Sequence, residues 1–199
     1  MENWWCVLVV LALVACSSKP SEQQAQLARQ IVEKSDVNVV ALNKNLYQIT
    51  PLLLRSEQLT AEDVPILEAH NVKTVVSLRF FTRNQNEHEL PELKANLINK
   101  PLMSWHITPA EIADILYTIE QGQKQGAVLV HCYHGSDRTG LIIGMYRMVI
   151  QDWPIEHAKS EMVDGPYGFH TVWRNMPNMY NEQTVAEVRQ HLQKLRQGT

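Results

Sequence analysis

The chain has 199 residues, of which 45% are hydrophobic, and its formal net charge at pH 7 is −3. This length and composition are typical of one globular domain with a sizeable core. Because the balance is mildly acidic and no basic stripe or arm occurs, we do not expect a nucleic acid as a partner.

Residues 1–15 are predicted to be a signal peptide. Trp4 to Ala15 form an almost wholly apolar stretch that is too short to span a bilayer. The sequence Leu13-Val14-Ala15-Cys16 at its end resembles the lipobox of bacterial lipoproteins, in which the Cys is lipidated after cleavage. The first three residues lack the positive charge that secretory signals normally carry.

The lipobox resemblance implies a mature protein that begins at Cys16 and is held at a membrane by its acyl chains. Because Ser17 rather than Asp follows Cys16, the resemblance implies the outer membrane, facing the periplasm. Cys6 would be removed with the signal, so Cys132 would be the only unmodified thiol of the mature protein.

Residues 16–44 are predicted to form a tether and an N-terminal helix over 22–34, and residues 45–199 a folded domain. Strands are predicted at 45–50, 52–55, 72–78 and 128–130, with a weaker candidate at 95–102. Helices are predicted from Thr60 to about 70, from Thr108 to about 123, from about Arg138 to 150, at 154–162 and at 182–197. This alternation predicts an α/β fold with a central, mostly parallel sheet flanked by helices.

The stretch between the strand at 128–130 and the helix near Arg138 carries the chemistry. It reads His131-Cys-Tyr-His-Gly-Ser-Asp-Arg138-Thr-Gly, and we call residues 132–138 the Cys132 loop. A polar loop at a helix N-terminus offers free backbone amides and a favourable dipole to an anion. The same field favours the thiolate form of a cysteine, and a guanidinium binds phosphate oxygens in bidentate fashion. The stretch therefore indicates a thiolate nucleophile that faces a bound phosphoryl group.

The pattern His-Cys-x5-Arg-Thr-Gly resembles the signature loop of the cysteine-dependent phosphatases, the tyrosine and dual-specificity class. Similarity to bacterial dual-specificity-type members extends over about residues 45–180, including 53–56, 73–79 and 145–173. The resemblance implies the cysteine-phosphatase fold and hydrolysis of phosphate monoesters through a phosphocysteine. It implies that Cys132 is the nucleophile, that Arg138 holds the phosphate oxygens and that Thr139 donates to the departing thiolate.

The phosphate site is predicted to be lined by the rest of the Cys132 loop, namely Tyr133, His134, Gly135, Ser136, Asp137 and Arg138. His131 is predicted to brace this loop. The expected substrate is a phosphoprotein or a small phosphate ester, and no cofactor is expected. A zinc site on His131, Cys132 and His134 is disfavoured because a structural zinc usually needs four ligands in spaced pairs.

The general acid departs from the family pattern. Related enzymes supply an Asp from a loop upstream of the signature strand, but residues 101–107 read Pro-Leu-Met-Ser-Trp-His-Ile here. Asp137 is the leading candidate because it lies inside the loop beside Arg138, within reach of a leaving oxygen. A bracing carboxylate paired with a basic neighbour is the competing interpretation, and Asp114 and His106 are the alternative acids.

Two other functions remain open at this point. A pseudophosphatase that only binds phosphorylated groups would explain the missing upstream Asp. A rhodanese-like or arsenate-reductase-like enzyme would also use a thiolate in an anion loop, although rhodanese loops are typically shorter and reductases usually need a resolving cysteine. Arg79 is predicted to contact substrate or to form a salt bridge, and core packing is the favoured role for His170 and Trp173.

Overall fold

The computed structural model describes residues 37–198, so the predicted signal peptide, most of the tether and the helix over 22–34 lie outside the described residues. Within them one sheet contains β1 (Asn38–Ala41), β2 (Leu46–Thr50), β3 (Leu53–Ser56), β4 (Val72–Ser77), β5 (Asn96–Asn99) and β6 (Ala127–His131). The α-helices are α1 (Val64–Ala69), α2 (Gln85–Glu89), α3 (Pro109–Gln123), α4 (Asp137–Ile150), α5 (Ile155–Asp164) and α6 (Glu182–Gln197). This confirms the predicted α/β fold.

The strand order explains where the Cys132 loop lies. The order is β1-β2-β3-β6-β4-β5. The neighbours β3 and β6, β6 and β4, and β4 and β5 pair in parallel, whereas β1 pairs with β2 and β2 with β3 in antiparallel fashion. β6 is central, and its last residue, His131, is in register with both Ser56 of β3 and Ser77 of β4. The loop that follows β6 therefore starts at the carboxyl edge of the parallel strands, where ligands bind in open α/β sheets.

The central strand is buried on both faces because helices cover the sheet from two sides. Val128 and Val130 point into a large apolar cluster that includes residues of α3, α4 and α6. Leu129 points into a smaller cluster on the opposite face, which includes Leu67 of α1. A continuous apolar run is the pattern expected for such a strand.

The sheet starts earlier than predicted. β1 begins at Asn38 and pairs with β2, so residue 45 is too late as the start of the folded domain. β1 is a four-residue edge strand with no buried side chain, and it therefore lacks the apolar alternation that identifies strands. The short helix α2 also has no counterpart among the predicted elements.

The start of α3 is fixed by its capping residues. At the start of α3, the Thr108 hydroxyl accepts from the Glu111 amide, and the Glu111 carboxylate accepts from the Thr108 amide at 2.8 Å. The two bonds form a capping box, and they confirm the predicted helix start with Thr108 as N-cap and Pro109 in the first turn. None of the described helices is both long and apolar enough to cross a bilayer.

Candidate active site

The Cys132 loop connects β6 to α4, and several of its carbonyl groups are hydrogen-bonded to other parts of the protein. Within residues 37–198, the backbone amides of residues 133–138 donate no hydrogen bond. Three consecutive loop carbonyls accept from residues outside the loop: Tyr133 from the Gln58 amide (3.0 Å), His134 from Asn45 Nδ2 (2.9 Å) and Gly135 from Arg55 Nη2 (2.6 Å). The amides are left as free donors, which is the arrangement of an anion site.

Gly135 makes the turn of this loop possible. Its φ is +72°, in the left-handed region that favours glycine. A Cβ added to Gly135 would lie 2.4 Å from the carbonyl oxygen of Ser56, the last residue of β3. Both the backbone conformation and the close approach to β3 therefore require glycine here.

Cys132 and Arg138 occupy the two ends of the loop. Cys132 is a free thiol with 2% of its surface exposed. Nη1 of Arg138 donates to the carbonyl oxygens of Leu78 (3.3 Å) and Leu102 (3.4 Å), which follow β4 and β5. These bonds hold the guanidinium at the carboxyl edge of the sheet. The neighbouring Thr139 hydroxyl is buried and has no hydrogen-bond partner among the described residues.

A second guanidinium lies behind the loop. Arg55 is 1% exposed, stacks on the ring of Tyr167 at 3.6 Å and donates to the Gly135 carbonyl oxygen. It forms no salt bridge within the described residues. Burial lowers the pKa of Arg55, while its electrostatic interactions with Tyr167, Glu161 and Cys132 oppose this shift. A buried cation therefore lies behind the anion site.

His131 contacts the loop as a brace would. Its Nδ1 lies 2.9 Å from the Cys132 carbonyl oxygen, and its Nε2 lies 2.9 Å from Nδ2 of Asn86. Burial lowers the pKa of His131 to about 4, so the ring is neutral at pH 7. A neutral ring carries one N–H and one acceptor nitrogen, which suits one bond of each kind.

Asp137 lies in the first turn of α4 and is held by His170. The His170 amide donates to Oδ1 of Asp137 at 2.8 Å, and the ring Nδ1 lies 2.9 Å from Oδ2. His170 is exposed, so core packing was the wrong prediction for it, whereas Trp173 packs against the core as predicted. The basic neighbour of the bracing interpretation is therefore present, and the exposed His170 ring brings solvent close to the carboxylate.

The two alternative acids lie in different places. Asp114 pairs with Lys100 at 2.7 Å in a shallow polar cleft whose lining includes no residue of the Cys132 loop. His106 is exposed and belongs to the segment after Leu102, whose carbonyl oxygen accepts from Arg138. Leu102, four residues before His106, thus contacts Arg138, whereas Asp114 is paired with Lys100.

Two side chains of the loop differ in their surroundings: Tyr133 is exposed, whereas Ser136 is hydrogen-bonded inside the protein. Tyr133 is 55% exposed, and its ring contacts His134 (4.7 Å between centroids) and the Arg79 guanidinium (5.1 Å). Arg79 forms no salt bridge within residues 37–198 and instead donates to Gln58 Oε1 at 2.9 Å. Ser136 Oγ donates to the Tyr167 carbonyl oxygen at 2.6 Å, so this side chain braces the loop.

Several residues that shape the site were not singled out for a role from the sequence. They come from segments far from the loop: Asn45, Arg55, Gln58, Asn86 and Tyr167. For Arg55 the sequence contains one indication of an internal role, because this charged residue follows the apolar run Leu52-Leu53-Leu54 inside a predicted strand. Buried arginines are rare unless they are paired, so an arginine at this position indicates a bonding partner inside the fold.

Comparison with known proteins gives a consistent result. The family model described as "DSP-PTPase phosphatase fused to NAD+ Kinase" matches residues 30–172. The curated dual specificity protein phosphatase TpbA of Pseudomonas aeruginosa is 36% identical over 124 residues, which are 62% of this chain and 56% of the relative. The chain thus spans little more than half the length of this relative.

Solved structures of the same relative are also similar. A crystal structure of P. aeruginosa TpbA aligns with a TM-score of 0.72 at 30% identity, covering 78% of this chain and 95% of TpbA. A TpbA variant in complex with pTyr aligns with the same TM-score at 29% identity, covering 78% and 94% of the two chains.

Proposed function

The chain belongs to the DSP-PTPase family of phosphatases. We propose that it hydrolyses phosphate monoesters through a phosphocysteine on Cys132. The Cys132 loop supports this function most directly. Its amides are free, three of its carbonyls accept hydrogen bonds from residues outside the loop, and Arg138 is anchored beside it. This set of donors suits the oxygens of a phosphoryl group, and the free thiol is the only cysteine among the described residues.

In the proposed first step, the Cys132 thiolate attacks phosphorus in line. The Sγ–P bond forms, the ester P–O bond breaks, and the leaving oxygen takes a proton from a general acid. The loop amides and Arg138 hold the equatorial oxygens, where charge is spread in the transition state.

In the second step, water attacks the phosphocysteine, releasing inorganic phosphate and the thiolate. The Thr139 hydroxyl suits a role in this step because it is buried without a partner and follows Arg138 on the first turn of α4. A hydroxyl that donates to the departing sulfur would stabilise its negative charge.

Asp137 is the proposed general acid. It is mostly buried in the first helical turn, and the exposed His170 ring that contacts it offers a route for the proton from solvent. His106 is the alternative, since its segment approaches Arg138 through Leu102.

A phosphoprotein is the proposed substrate, with phosphotyrosine as the first residue to test. TpbA, whose structure this fold resembles, has been crystallised in complex with pTyr. In this chain an exposed aromatic ring, Tyr133, lies in the loop beside the Arg79 guanidinium, and a flat phosphorylated ring would find a stacking surface there.

Phosphate release by the full-length protein and by the Cys132→Ser variant tests the function. The wild type should release phosphate from p-nitrophenyl phosphate and from a phosphotyrosyl peptide, and rapid quenching should trap phosphate on Cys132. The variant should lose turnover but still bind inorganic phosphate. Release at the wild-type rate by the Cys132→Ser variant would rule out the phosphocysteine.

We also propose that Cys16 is lipidated and that the protein faces the periplasm from the outer membrane. The support is the sequence alone: an apolar stretch, Leu13-Val14-Ala15-Cys16, and Ser17 after it. Labelling with a radioactive fatty acid tests this proposal. The wild type should be labelled and sediment with outer membranes, whereas an unlabelled wild type, or a Cys16→Ser variant that is still labelled, would contradict it.

A further inference from the structure

A series of side chains connects the surface to the carbonyl of the nucleophile. Arg79 Nη1 donates to Gln58 Oε1 at 2.9 Å, and Gln58 Nε2 donates to Asn86 Oδ1 at 2.9 Å. Asn86 Nδ2 lies 2.9 Å from His131 Nε2, and His131 Nδ1 lies 2.9 Å from the Cys132 carbonyl oxygen. We call this series of four bonds the Arg79 relay.

The direction of every bond in the relay follows from its first member. A guanidinium can only donate, so the Gln58 atom that faces Arg79 must be the amide oxygen, and its nitrogen must face Asn86. The Asn86 atom that faces Gln58 is then the oxygen, and its nitrogen donates to His131 Nε2. The two amide orientations and the ring tautomer thus follow from the donor-only chemistry of the guanidinium.

We propose that Arg79 is a positioning residue that acts through Gln58 and Asn86 to fix the Nδ1–H tautomer of His131. His131 then donates to the Cys132 carbonyl oxygen and holds the backbone of the nucleophile. The buried ring is neutral at pH 7, with a pKa of about 4, so it has only one hydrogen to place. In the other tautomer, the Nδ1 lone pair would face the carbonyl lone pairs.

The relay begins where substrate would arrive. The Arg79 guanidinium lies 5.1 Å from the centre of the Tyr133 ring, and the Tyr133 carbonyl oxygen accepts from the Gln58 amide. Gln58 therefore supports the Cys132 loop twice, through its backbone and through its side chain. This positioning role rests on the proposed function, because it concerns the orientation of Cys132 as nucleophile.

Gln58→Glu is the sharpest test because it keeps the shape of the side chain and replaces its donor atom by an acceptor. The bond from Gln58 Nε2 to the Leu59 carbonyl oxygen (3.1 Å) is lost together with the bond to Asn86. A glutamate would still accept from Arg79, but its second oxygen cannot donate to Asn86. Asn86 would turn its nitrogen towards this oxygen and present its own oxygen to His131 Nε2. His131 would then adopt the Nε2–H tautomer and lose its bond to the Cys132 carbonyl oxygen.

The tautomer is read from the ring 15N shifts of the full-length protein near pH 7, with the His131→Asn variant used to assign the signal. Wild type should show the Nδ1–H form, and Gln58→Glu the Nε2–H form with kcat lower by about fivefold, the effect of one lost hydrogen bond. Arg79→Met should give mixed tautomers and a lower kcat. Arg79→Lys, whose ammonium group can also only donate, should restore the Nδ1–H tautomer and the wild-type kcat. Gln193→Glu on the exposed face of α6 and Arg83→Met are the matched controls, since neither belongs to the relay.

Two results would overturn the relay. One is an Nε2–H ring in the wild type, and the other is an unchanged Nδ1–H ring in both Gln58→Glu and Arg79→Met. An unchanged kcat with the reversed tautomer would remove the positioning role. Because the shifts need no turnover, a protein without phosphatase activity would contradict the proposed function and leave the tautomer result readable.

Discussion

His170 holds Asp137 with two donors, its backbone amide at 2.8 Å from Oδ1 and its ring Nδ1 at 2.9 Å from Oδ2. The pair joins the first turn of α4 to the segment after Tyr167. The carboxylate with the leading claim to acid catalysis is therefore also a structural contact. The two roles make different predictions for its amide variant.

Asp137→Asn is expected to discriminate between the two roles. A variant without the general acid should slow by at least about 100-fold on esters with poor leaving groups, and should lose the basic limb of the pH–rate profile. It should keep most activity on p-nitrophenyl phosphate, whose leaving group needs no proton. Steady-state rates between pH 5 and 9 on both ester types measure this, with Asp114→Asn as the control.

A retained basic limb in Asp137→Asn, together with its loss in His106→Asn, would transfer the acid role to His106. Equal slowing on good and poor leaving groups would identify Asp137 as a brace only.

The buried Arg55 guanidinium should strengthen anion binding from behind the loop. Arg55→Met is expected to weaken binding of inorganic phosphate about tenfold, because a nearby charge contributes on the order of 1–2 kcal/mol at an effective dielectric constant of about 20. Arg55→Lys keeps the charge and should lose less. Calorimetric titration measures both affinities. Wild-type affinity in Arg55→Met would mean that the loop amides and Arg138 bind phosphate without a contribution from Arg55.

Gly135→Ala should destabilise the fold as well as the site. The positive φ of +72° and a Cβ placed 2.4 Å from the Ser56 carbonyl oxygen are expected to cost more than about 2 kcal/mol of the free energy of unfolding. Gly198→Ala is the control, since its φ is −88° and the added Cβ would be 3.5 Å from the nearest atom. Urea denaturation of both variants checks this, and equal midpoints would contradict it.

His131 should make stability depend on pH. An unfolded histidine gains its proton near pH 6.5, whereas burial lowers the pKa of folded His131 to about 4. Between these values the unfolded chain binds the additional proton, so the free energy of unfolding should fall by about 3 kcal/mol as pH decreases from 6.5 to 4. Below about pH 4 this contribution should level off.

Denaturation of the wild type and of His131→Asn across this range measures the difference in slope, and the ring C–H signals of His131 report its pKa directly. A parallel pH dependence in both proteins would exclude His131 as the source.

The parts of the structure that could be predicted are those whose cause is local. The apolar run before Cys132, the glycine at 135 and the Thr-Pro start of α3 each specify their own conformation through nearby residues. Together they were enough to locate the loop and the parallel core of the sheet.

The rest of the site depends on contacts between distant segments. Asn45 is 89 positions from His134, Arg55 is 80 from Gly135, and Asn86 is 45 from His131. No short-range periodicity carries this information, because only the folded sheet brings these side chains to the loop. β1 was missed for a related reason, since an exposed edge strand is defined by its partner β2 rather than by its own pattern.

The direction of β1 determines at which end of the strands the described chain enters the sheet. β1 is antiparallel to β2, and β2 to β3, so β1 and β3 run the same way. The polypeptide therefore enters the sheet at the edge opposite to Cys132 and reaches the reactive edge only at Asn45, which binds the His134 carbonyl oxygen. Residues before Asn38 therefore join the domain at the end of the sheet that lies away from the Cys132 thiol.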